Sequence, residues 1–475
     1  MKAPILRLYA FVFVLFCVLI GFTTYWSVFD AEALRDNPDN RRTLLQEEKV
    51  KRGVIRSADG EVIAGSERIS GDRYRRRYPL GELFGHPVGY AFTSIGRSGI
   101  ERFYNDRLTG VRTELVGVVD SILDRPRVGQ DLETTLDSKV QKLATDALKA
   151  SPSGKGAVVA LDVKTGAVKA LASVPGFDPN DLDRGRKFQE LSTDEASTPL
   201  FERATQGLFP PGSTFKAVTA AAALDSGDYT PDSTLSGKNG LEISGVPLNN
   251  FGGEDYGQIT LTNALTNSVN TVFGQIGESL GKGTMQRYMD RFGFGTRMGL
   301  DLPADQITRS GERLDGRLIS ATNRNVDVGR MAIGQDKLLV TPLQMAVVAA
   351  TIANGGERMQ PYLVERATDQ DGRATYEHEA DTADRVISSD AAAELTAMMQ
   401  QVVREGTGTA AALSGIDVAG KTGTAELNND GLNDLWFIGF AGDHAVAVMV
   451  ERVQGGQGGT VAAPIAKAVL EALGD

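Results

Sequence analysis

The sequence reads FPPGSTFKAVTAAAAL from Phe209 to Leu224. Its two prolines and its glycine predict a turn, and the alanine-rich run that follows predicts a buried helix ending near Gly227. Ser213 and Lys216 fall in the first turn of this helix, three positions apart, so their side chains share one face. Each of these polar side chains is out of place at the start of an apolar helix unless it has a partner.

This pair suits acyl transfer. A lysine in a partly dry site loses its proton and becomes a base, and a serine beside it then attacks a carbonyl carbon. The helix N-terminus offers a backbone N–H to the oxyanion that forms. Ser-x-x-Lys is weak evidence by itself, because about one or two copies are expected by chance in a chain of this length. A second copy does occur, from Ser279 to Lys282.

The composition is that of a globular protein with more than one core. The chain has 475 residues, 41% hydrophobic and 23% charged, with a net charge of −11, which predicts two or three units and disfavours nucleic acid as a partner. Cys17 is the only cysteine and the three histidines are far apart, so neither an internal disulfide nor a Cys/His metal cluster is expected. Arginines cluster from Arg73 to Arg77; a solvated face is the commoner interpretation, and contact with an anionic lipid or glycan is the alternative.

An uncharged, mostly apolar stretch runs from Leu8 to Phe29. Its length suffices to cross a bilayer, which takes roughly 20 residues. Lys2 and Arg7 precede it, so the positive-inside rule predicts a single-pass anchor in the cell membrane with a cytoplasmic N-terminus and an extracytoplasmic remainder. A cleaved signal peptide, with its site near Ala33, is the alternative.

The chain divides into three predicted parts: 1–30, the cytoplasmic tail and transmembrane anchor; 31–153, a mixed unit of short strands and glycine turns; and 154–475. Residues 57–64 predict a hairpin with an Asp-Gly turn, and 140–148 a helix. The third part begins with a predicted hairpin, 156–173, which carries Lys164-Thr165-Gly166 at its turn. Further helices are predicted at 261–275, 341–354, 391–404 and 464–473, and strands at 418–426, 434–441 and 445–453. The polar stretch 364–389 predicts a surface excursion.

Two more motifs follow Ser213-x-x-Lys216 in the chain. Ser268-Val269-Asn270 is the only Ser-x-Asn and interrupts a helical pattern, and Lys421-Thr422-Gly423-Thr424 lies on a predicted strand. The glycine there allows a ligand to approach the backbone closely. Each motif is weak alone, but the ordered trio at domain-scale spacing is strong, and it is the set associated with penicillin-binding proteins and active-site serine β-lactamases.

The third part resembles the transpeptidase domain of class B penicillin-binding proteins. The resemblance extends to the segments at 211–216, 341–344 and 353–356, and upstream segments at 52–60, 99–110 and 135–137 resemble the non-catalytic pedestal of that class. The short pedestal is most similar to that of the actinobacterial penicillin-binding protein A group. One departure is Gly334-Gln335-Asp336, where the family usually has Gly-Gln-Gly, which leaves the shape of that loop open.

The resemblance implies an α+β fold: a membrane anchor, an elongated pedestal of the dimerisation type, and a transpeptidase domain whose five-stranded antiparallel sheet is flanked by helices. It also implies roles at the matching positions. Ser213 would be acylated by a stem peptide ending in D-Ala-D-Ala, Lys216 would be the base, and Ser268, near Lys216 and Lys421, would relay a proton to the leaving amine. Binding of the substrate would fall to Asn270, Thr422, Gly423 and Thr424.

The implied function is a peptidoglycan D,D-transpeptidase that β-lactams inhibit covalently. The implied partners are the stem peptides, β-lactams and a glycan polymerase of the shape, elongation, division and sporulation family; no cofactor or metal is implied. A D,D-carboxypeptidase, or a penicillin-binding scaffold or sensor without turnover, stays open. A Ser-His-Asp hydrolase is disfavoured because the chain has no Gly-x-Ser-x-Gly, and a class A β-lactamase because no Glu-x-x-Leu-Asn segment lies between Asn270 and Lys421.

Overall fold

The computed structural model describes residues 2–26, 48–110, 128–427 and 431–474. The first helix, α1 (Lys2–Thr24), carries exposed apolar side chains along its length. Within the described ranges it is the one helix long and apolar enough to cross a membrane. It includes the charged residues Lys2 and Arg7 that precede the predicted apolar stretch, and it tolerates Pro4 because a first helical turn leaves that N–H unpaired in any case. The end of the predicted stretch and the alternative cleavage site near Ala33 lie outside the described residues.

A six-stranded sheet forms the frame of the unit that follows. Its strand order is β18-β17-β6-β1-β2-β3. The predicted hairpin at 57–64 is confirmed, since β1 pairs antiparallel with β2 around Gly60, whose φ of 88° suits the turn. The bounds of these strands are Ile55–Arg56 (β1), Val62–Ser70 (β2), Arg73–Arg77 (β3), Asp131–Thr134 (β6), Val364–Thr368 (β17) and Ala374–Glu377 (β18).

The prediction of a surface excursion at 364–389 is wrong for its first part. β17 pairs antiparallel with β6, a strand more than two hundred residues earlier in the chain. Two of its side chains, Val364 and Ala367, are fully buried. The segment is polar because the pairing rests largely on backbone hydrogen bonds, and only one face of the strand meets the core. The periodicity of such a short stretch cannot reveal that the strand pairs with another strand more than two hundred residues away.

A five-stranded antiparallel sheet forms the core of the third part, in the order β20-β21-β22-β7-β8. Alternate side chains of β22 enter different cores: Ala447 and Met449 face one helical layer, and Val446 and Val448 face the other. A strand buried on both faces reads as a continuous apolar run, as seen in this sequence. The bounds are Gly156–Asp162 (β7), Val168–Val174 (β8), Ala419–Leu427 (β20), Leu432–Ala441 (β21) and His444–Gln454 (β22).

Helices cover both faces of this sheet, as the fold implied by the resemblance requires. On one face α11 packs against the central strands and α12 against β20, with the buried helix α7 between α12 and α9. On the other face lie α5 and α13; the predicted boundary at 153 assigns α5 to the preceding unit. The bounds are Ser138–Lys149 (α5), Lys216–Asp225 (α7), Leu261–Thr266 (α8), Asn270–Arg291 (α9), Pro342–Ala353 (α11), Ser389–Arg404 (α12) and Gly458–Gly474 (α13).

The last helix begins earlier than the predicted start at Pro464. It starts at Gly458 and holds Pro464 in its interior. A Cβ at Gly458 would lie 2.2 Å from Trp436 O and 2.4 Å from Gly423 O, so close packing on the sheet fixes this start. Local start signals favoured the proline, and the contact with β20 overrides them.

Shorter elements complete the described chain. The remaining helices are Gly85–Val88 (α2), Gly99–Phe103 (α3), Asn105–Leu108 (α4), Arg186–Ser192 (α6) and Val328–Met331 (α10). The remaining strands are Ala91–Phe92 (β4), Gly96–Arg97 (β5), Thr234–Ser236 (β9), Leu241–Ile243 (β10), Val246–Leu248 (β11), Gln258–Thr260 (β12), Gly311–Leu314 (β13), Arg317–Leu318 (β14), Leu338–Leu339 (β15), Glu357–Met359 (β16) and Thr382–Arg385 (β19).

Candidate active site

The turn that carries Ser213 is continuous with a helix and is held by hydrogen bonds to two other elements. Residues 212–215 form a 3₁₀ turn that runs directly into α7. The Gly212 N–H donates to Gly334 O at 3.0 Å, and Trp436 Nε1 on β21 donates to Pro210 O at 3.0 Å. These bonds tie the turn to a neighbouring loop and to the sheet, so Ser213 has a fixed, half-buried position at the start of a buried helix.

Lys216 is fully buried beneath this turn. Its Nζ lies 2.7 Å from Ser268 O, 2.7 Å from Asn270 Oδ1 and 3.2 Å from Ser268 Oγ. A neutral lysine amine has two hydrogens and one lone pair. The two shorter bonds go to atoms that only accept, so they use both hydrogens and leave the lone pair for a hydroxyl proton.

Ser268 joins the two buried lysines. Its Oγ lies 3.2 Å from Lys216 Nζ and accepts from Lys421 Nζ at 3.0 Å. Ser268 occupies the three-residue break between α8 and α9, with a φ of 58°. Non-glycine residues adopt this left-handed conformation rarely, and such residues are more frequent at functional sites than elsewhere. Here it aims both the hydroxyl and the carbonyl of Ser268 at the lysines.

Burial changes the protonation of both lysines. Burial, together with the charge of Lys421, holds the pKa of Lys216 well below its ordinary value. Burial also lowers the pKa of Lys421 to about 7. Desolvation penalises the charged form of a lysine, and a second cation nearby adds to that effect. The neutral form is therefore favoured at Lys216, the lysine that shares a helical face with Ser213.

The strand β20 forms one wall of the site. It is an edge strand that pairs only with β21 in the described sheet, so its other edge can pair with an extended ligand. A Cβ at Gly423 would lie 2.8 Å from Pro211 O and 2.9 Å from Thr214 Cγ2, so the missing side chain lets the strand touch the Ser213 turn. The Thr422 hydroxyl lies 2.6 Å from that of Thr407.

A cleft of about 600 Å³ opens above these groups. The loop 248–256, Asn270 and residues 457–459 also line it. Asn270 is held by Nδ2 donating to Asn249 O at 2.9 Å, while its Oδ1 accepts from Lys216. The cleft has the size and the few convergent polar groups that are typical of a ligand site.

The structure brings all eight predicted site residues to this cleft. Five of them line it directly: Ser213, Ser268, Asn270, Thr422 and Thr424. Lys216 and Lys421 lie buried beneath it, bonded to Ser268, and Gly423 lies between Thr422 and Thr424 against the Ser213 turn.

The duplicate motifs lie elsewhere. Lys164 is exposed on the turn between β7 and β8, where its Nζ donates to Asn354 Oδ1 at 3.1 Å, and β8 is the sheet edge opposite to β20. Ser279 is exposed on α9, and Lys282 Nζ donates to Asn323 O at 2.8 Å. Neither pair lines the cleft.

Sequence reasoning missed several residues of the cleft wall. Thr407 and Gln335 line it, and the loop at Asn249 faces the nucleophile turn across it. Asn250 holds that loop, since its Nδ2 donates to Gly237 O at 2.9 Å and to Glu254 O at 3.0 Å. No local pattern marks these residues; the Gly-rich run at 455–459 was the one available signal that the backbone approaches another element there.

Asp336, which stands where the family usually has glycine, adopts a conformation that glycine favours. Asp336 has a φ of 66°, a left-handed conformation that Asp tolerates better than most residues. Its Oδ2 accepts from the Asp327 N–H at 3.0 Å, and its Oδ1 from Lys337 Nζ at 2.6 Å. These bonds stabilise the conformation that a glycine would adopt freely.

Comparison with known proteins agrees with this geometry. Residues 156–471 match the penicillin binding protein transpeptidase domain, and residues 52–131 match the penicillin binding protein A dimerisation domain. The chain belongs to the penicillin-binding protein transpeptidase family. It is 35% identical to the peptidoglycan D,D-transpeptidase PbpA of Mycolicibacterium smegmatis, an alignment that covers 99% of both chains.

Solved structures give the same family. A ceftriaxone acyl-enzyme complex of penicillin-binding protein A from M. tuberculosis is similar at a TM-score of 0.81 and 33% identity, over 90% of this chain and 99% of that one. The D,D-transpeptidase domain of a peptidoglycan glycosyltransferase from Eggerthella lenta is similar at 0.78 and 34%, over 90% and 98%. The predicted resemblance and α+β fold are confirmed, and α1 together with the family indicates a membrane-anchored protein.

Proposed function

We propose that this protein is a peptidoglycan D,D-transpeptidase that cross-links stem peptides through an acyl-enzyme on Ser213. The observation that carries the proposal is the hydroxyl of Ser268 held between two fully buried lysines beneath the Ser213 turn. The homologous D,D-transpeptidases and the β-lactam acyl-enzymes of related structure support the same reaction class.

Acylation begins with the Ser213 hydroxyl. Neutral Lys216 takes its proton through the lone pair that its two short hydrogen bonds leave over, and Ser213 Oγ attacks the carbonyl carbon of the penultimate D-Ala. The backbone N–H groups of Ser213 and Thr424 stabilise the oxyanion, at about 3–4 kcal/mol for each donor. The C–N bond breaks, and the terminal D-Ala leaves as an amine after taking a proton by way of Ser268 Oγ.

The second half of the reaction reverses these roles. The amine of a second stem peptide attacks the ester carbonyl carbon, its proton passes to Lys216, and the C–O bond to Ser213 breaks as Ser213 Oγ regains a proton. A β-lactam acylates Ser213 in the same way. Its leaving amine stays covalently attached to the acyl group, so it blocks the approach of an acceptor and the ester persists.

Substrate binding uses the edge of β20. Thr422 and Thr424 hold the terminal carboxylate, Lys421 supplies positive charge, and Asn270 binds the amide of the donor peptide. A bound carboxylate favours the charged form of Lys421 and raises its pKa from about 7. Gly423 lets β20 lie against the Ser213 turn, so that the nucleophile and the strand edge reach the same donor chain.

The remaining parts of the proposal concern placement and partners. Lys2 and Arg7 before the apolar helix support a cytoplasmic N-terminus, with the cleft outside the membrane. The proposed domains are 1–30, 31–153 and 154–475; the separate family matches at 52–131 and 156–471 support a division between the last two. A glycan polymerase of the shape, elongation, division and sporulation family is the proposed partner, and co-purification of the two membrane proteins tests it.

Labelling with a fluorescent penicillin, followed by peptide mapping, tests the nucleophile. We expect the label on Ser213 and on neither Ser268 nor Ser279; a labelled peptide containing Ser279 would refute the assignment. Incubation with stem-peptide substrates then separates the activities. A cross-linked dimer indicates a transpeptidase, whereas a monomer shortened by one D-Ala, with no dimer, indicates a carboxypeptidase.

A further inference from the structure

Alternate residues of β20 line the cleft. Thr422, Thr424 and Glu426 line it, whereas the residues between them do not. Successive side chains of a strand point to opposite faces, so Glu426 continues the row of side chains that begins with the two threonines. The proposed reaction assigns the threonines to the terminal carboxylate of the donor peptide and gives Glu426 no role.

The carboxylate of Glu426 is available to a ligand. The residue is exposed, and its side chain makes neither a hydrogen bond nor an ion pair with the described part of the chain. Glu254 is the one other charged residue among the described residues that line the cleft, and its carboxylate lies near the hydroxyl of Tyr256. The described charges that line the cleft are therefore both negative, and no cation among these lining residues offsets Glu426.

β20 carries opposite charges at the two ends of the site. Lys421 lies beneath the cleft at the end near Ser268, whose Oγ is 3.0 Å from its Nζ. Glu426 lies five positions further along the strand, which is roughly 17 Å at about 3.3 Å for each residue. An extended ligand paired with the free edge of β20 therefore meets positive charge at one end and negative charge at the other. A ligand with an anionic terminus and a cationic group upstream fits this polarity.

The position of the cationic group follows from the strand spacing. In the proposed reaction the Thr424 N–H bonds to the carbonyl of the penultimate D-Ala, and the terminal carboxylate lies on the Thr422 side of it. The rest of the donor therefore runs from Thr424 towards Glu426, which is two positions or roughly 7 Å away. The residue before the two D-alanines lies along this path, so its side chain is within reach of the Glu426 carboxylate.

We propose that Glu426 determines specificity for the donor, by selecting peptides with an amine rather than a carboxylate on the residue before D-Ala-D-Ala. This inference rests on the proposed D,D-transpeptidase function and names its substrate more closely. Glu426 attracts an ammonium group and repels a carboxylate. For unit charges roughly 7 Å apart in water, each effect changes the rate about threefold, so the two classes of donor should differ by roughly tenfold.

Three penicillins test the inference, because they differ only at the α-carbon of the acyl side chain. This carbon takes the place of the α-carbon of the residue before D-Ala-D-Ala. Ampicillin carries an ammonium group there, carbenicillin a carboxylate, and benzylpenicillin only hydrogen besides the phenyl ring. The assay measures the second-order rate of acylation of the full chain in detergent, at about pH 6.5, below the ordinary pKa of an α-amino group.

The readout is the ratio of the ampicillin rate to the carbenicillin rate, compared between variants so that the intrinsic reactivity of each compound cancels. We expect Glu426→Gln to lower this ratio at least threefold and Glu426→Lys to lower it at least tenfold. Salt screens exposed charges, with a screening length of about 3 Å at 1 M. The wild-type ratio should therefore fall towards that of Glu426→Gln in 1 M salt.

Glu394→Gln is the matched control, because Glu394 is exposed on α12 and does not line the cleft; it should leave the ratio within twofold of the wild-type value. Benzylpenicillin reports on the proposed function itself, so a wild-type chain that it does not acylate at Ser213 would refute the transpeptidase site. Normal acylation by benzylpenicillin, with a ratio that stays within twofold in both Glu426 variants or does not respond to salt, would overturn the role of Glu426 alone.

Discussion

Replacement of Lys421 by methionine separates the proposed chemistry from motif matching, because the chain contains a second Lys-Thr-Gly. Lys421 is fully buried and its Nζ lies 3.0 Å from both Ser268 Oγ and Thr422 O. Lys421→Met keeps an unbranched side chain, shorter by the terminal amine, and removes the charge and the donors. The matched control, Lys164→Met, makes the same change in the other copy.

The magnitude follows from two lost interactions. A charge-assisted hydrogen bond is worth about 1.5–3 kcal/mol. Lys421 makes one to Ser268, and in the proposal its positive charge attracts the carboxylate of the ligand by a similar amount. Their loss raises the acylation barrier by about 3–6 kcal/mol, and at about 1.4 kcal/mol for each factor of ten the rate falls roughly 10²- to 10⁴-fold. Lys164 is exposed, and its side chain bonds only to Asn354 Oδ1 among the described residues, so its replacement should change the rate less than about threefold.

The assay is the second-order rate of acylation by benzylpenicillin, with thermal melts to show that both variants fold. The Thr422 carbonyl loses a partner in Lys421→Met, but a desolvated cation is removed at the same time, and these effects on stability offset each other. A slow Lys164→Met with a nearly normal Lys421→Met would refute the ordered-trio reasoning. Equal, small effects of both would show that Lys421 contributes neither charge nor position.

Three further predictions follow from the charges of the site and its neighbours. The acylation rate should fall at acid pH as Lys216 gains a proton, and above about pH 7 as Lys421 loses its proton. Lys421→Arg stays charged, so in its pH–rate profile the alkaline decrease in rate should occur at a higher pH. Burial, with a smaller effect of Asp336, raises the pKa of Glu312 to about 8. The folded protein therefore loses stability as pH rises from about 4.5 to 8, because the carboxyl ionises first in the unfolded chain. Glu312→Gln does not titrate, so its melting temperature relative to that of the wild type should increase across that window. Asp336→Gly loses the bond to the Asp327 N–H but relieves the strain of a φ of 66°. The free energy of unfolding should therefore change by no more than about 1 kcal/mol, and the rate of acylation by penicillin by less than about threefold.

The sequence predicted those elements whose signals are local. The hairpin at 57–64, the edge and central strands of the five-stranded sheet, and the helices around 342–353 and 389–404 are where periodicity and turn residues placed them. The break at Ser268 was also visible, because polar residues interrupt an apolar helical pattern there. In each case a few neighbouring residues determine the conformation.

The failures involve partners distant in the chain. β17 pairs with β6, which lies more than two hundred residues earlier, and Gly458 begins a helix because β20 leaves no room for another side chain. Thr407 reaches the cleft through its hydroxyl contact with Thr422. None of these contacts changes the local periodicity of the sequence, so propensity and pattern carry no information about them.

The same distinction explains why the three motifs were individually weak and jointly strong. Ser213 lies at a helix start, Ser268 in a break between helices and Lys421 on an edge strand, and each of these settings permits a polar side chain for local reasons. The reaction requires that the three motifs lie close together in space. Ser268 Oγ lies within hydrogen-bond distance of Lys216, 52 residues before it, and of Lys421, 153 residues after it. The fold must then leave those lysines dry, because water would restore the ordinary lysine pKa and remove the base. The buried helix α7 and the close approach at Gly423 exclude that water, so packing of the backbone around Ser213 is as much a condition of the proposed reaction as the three motifs themselves.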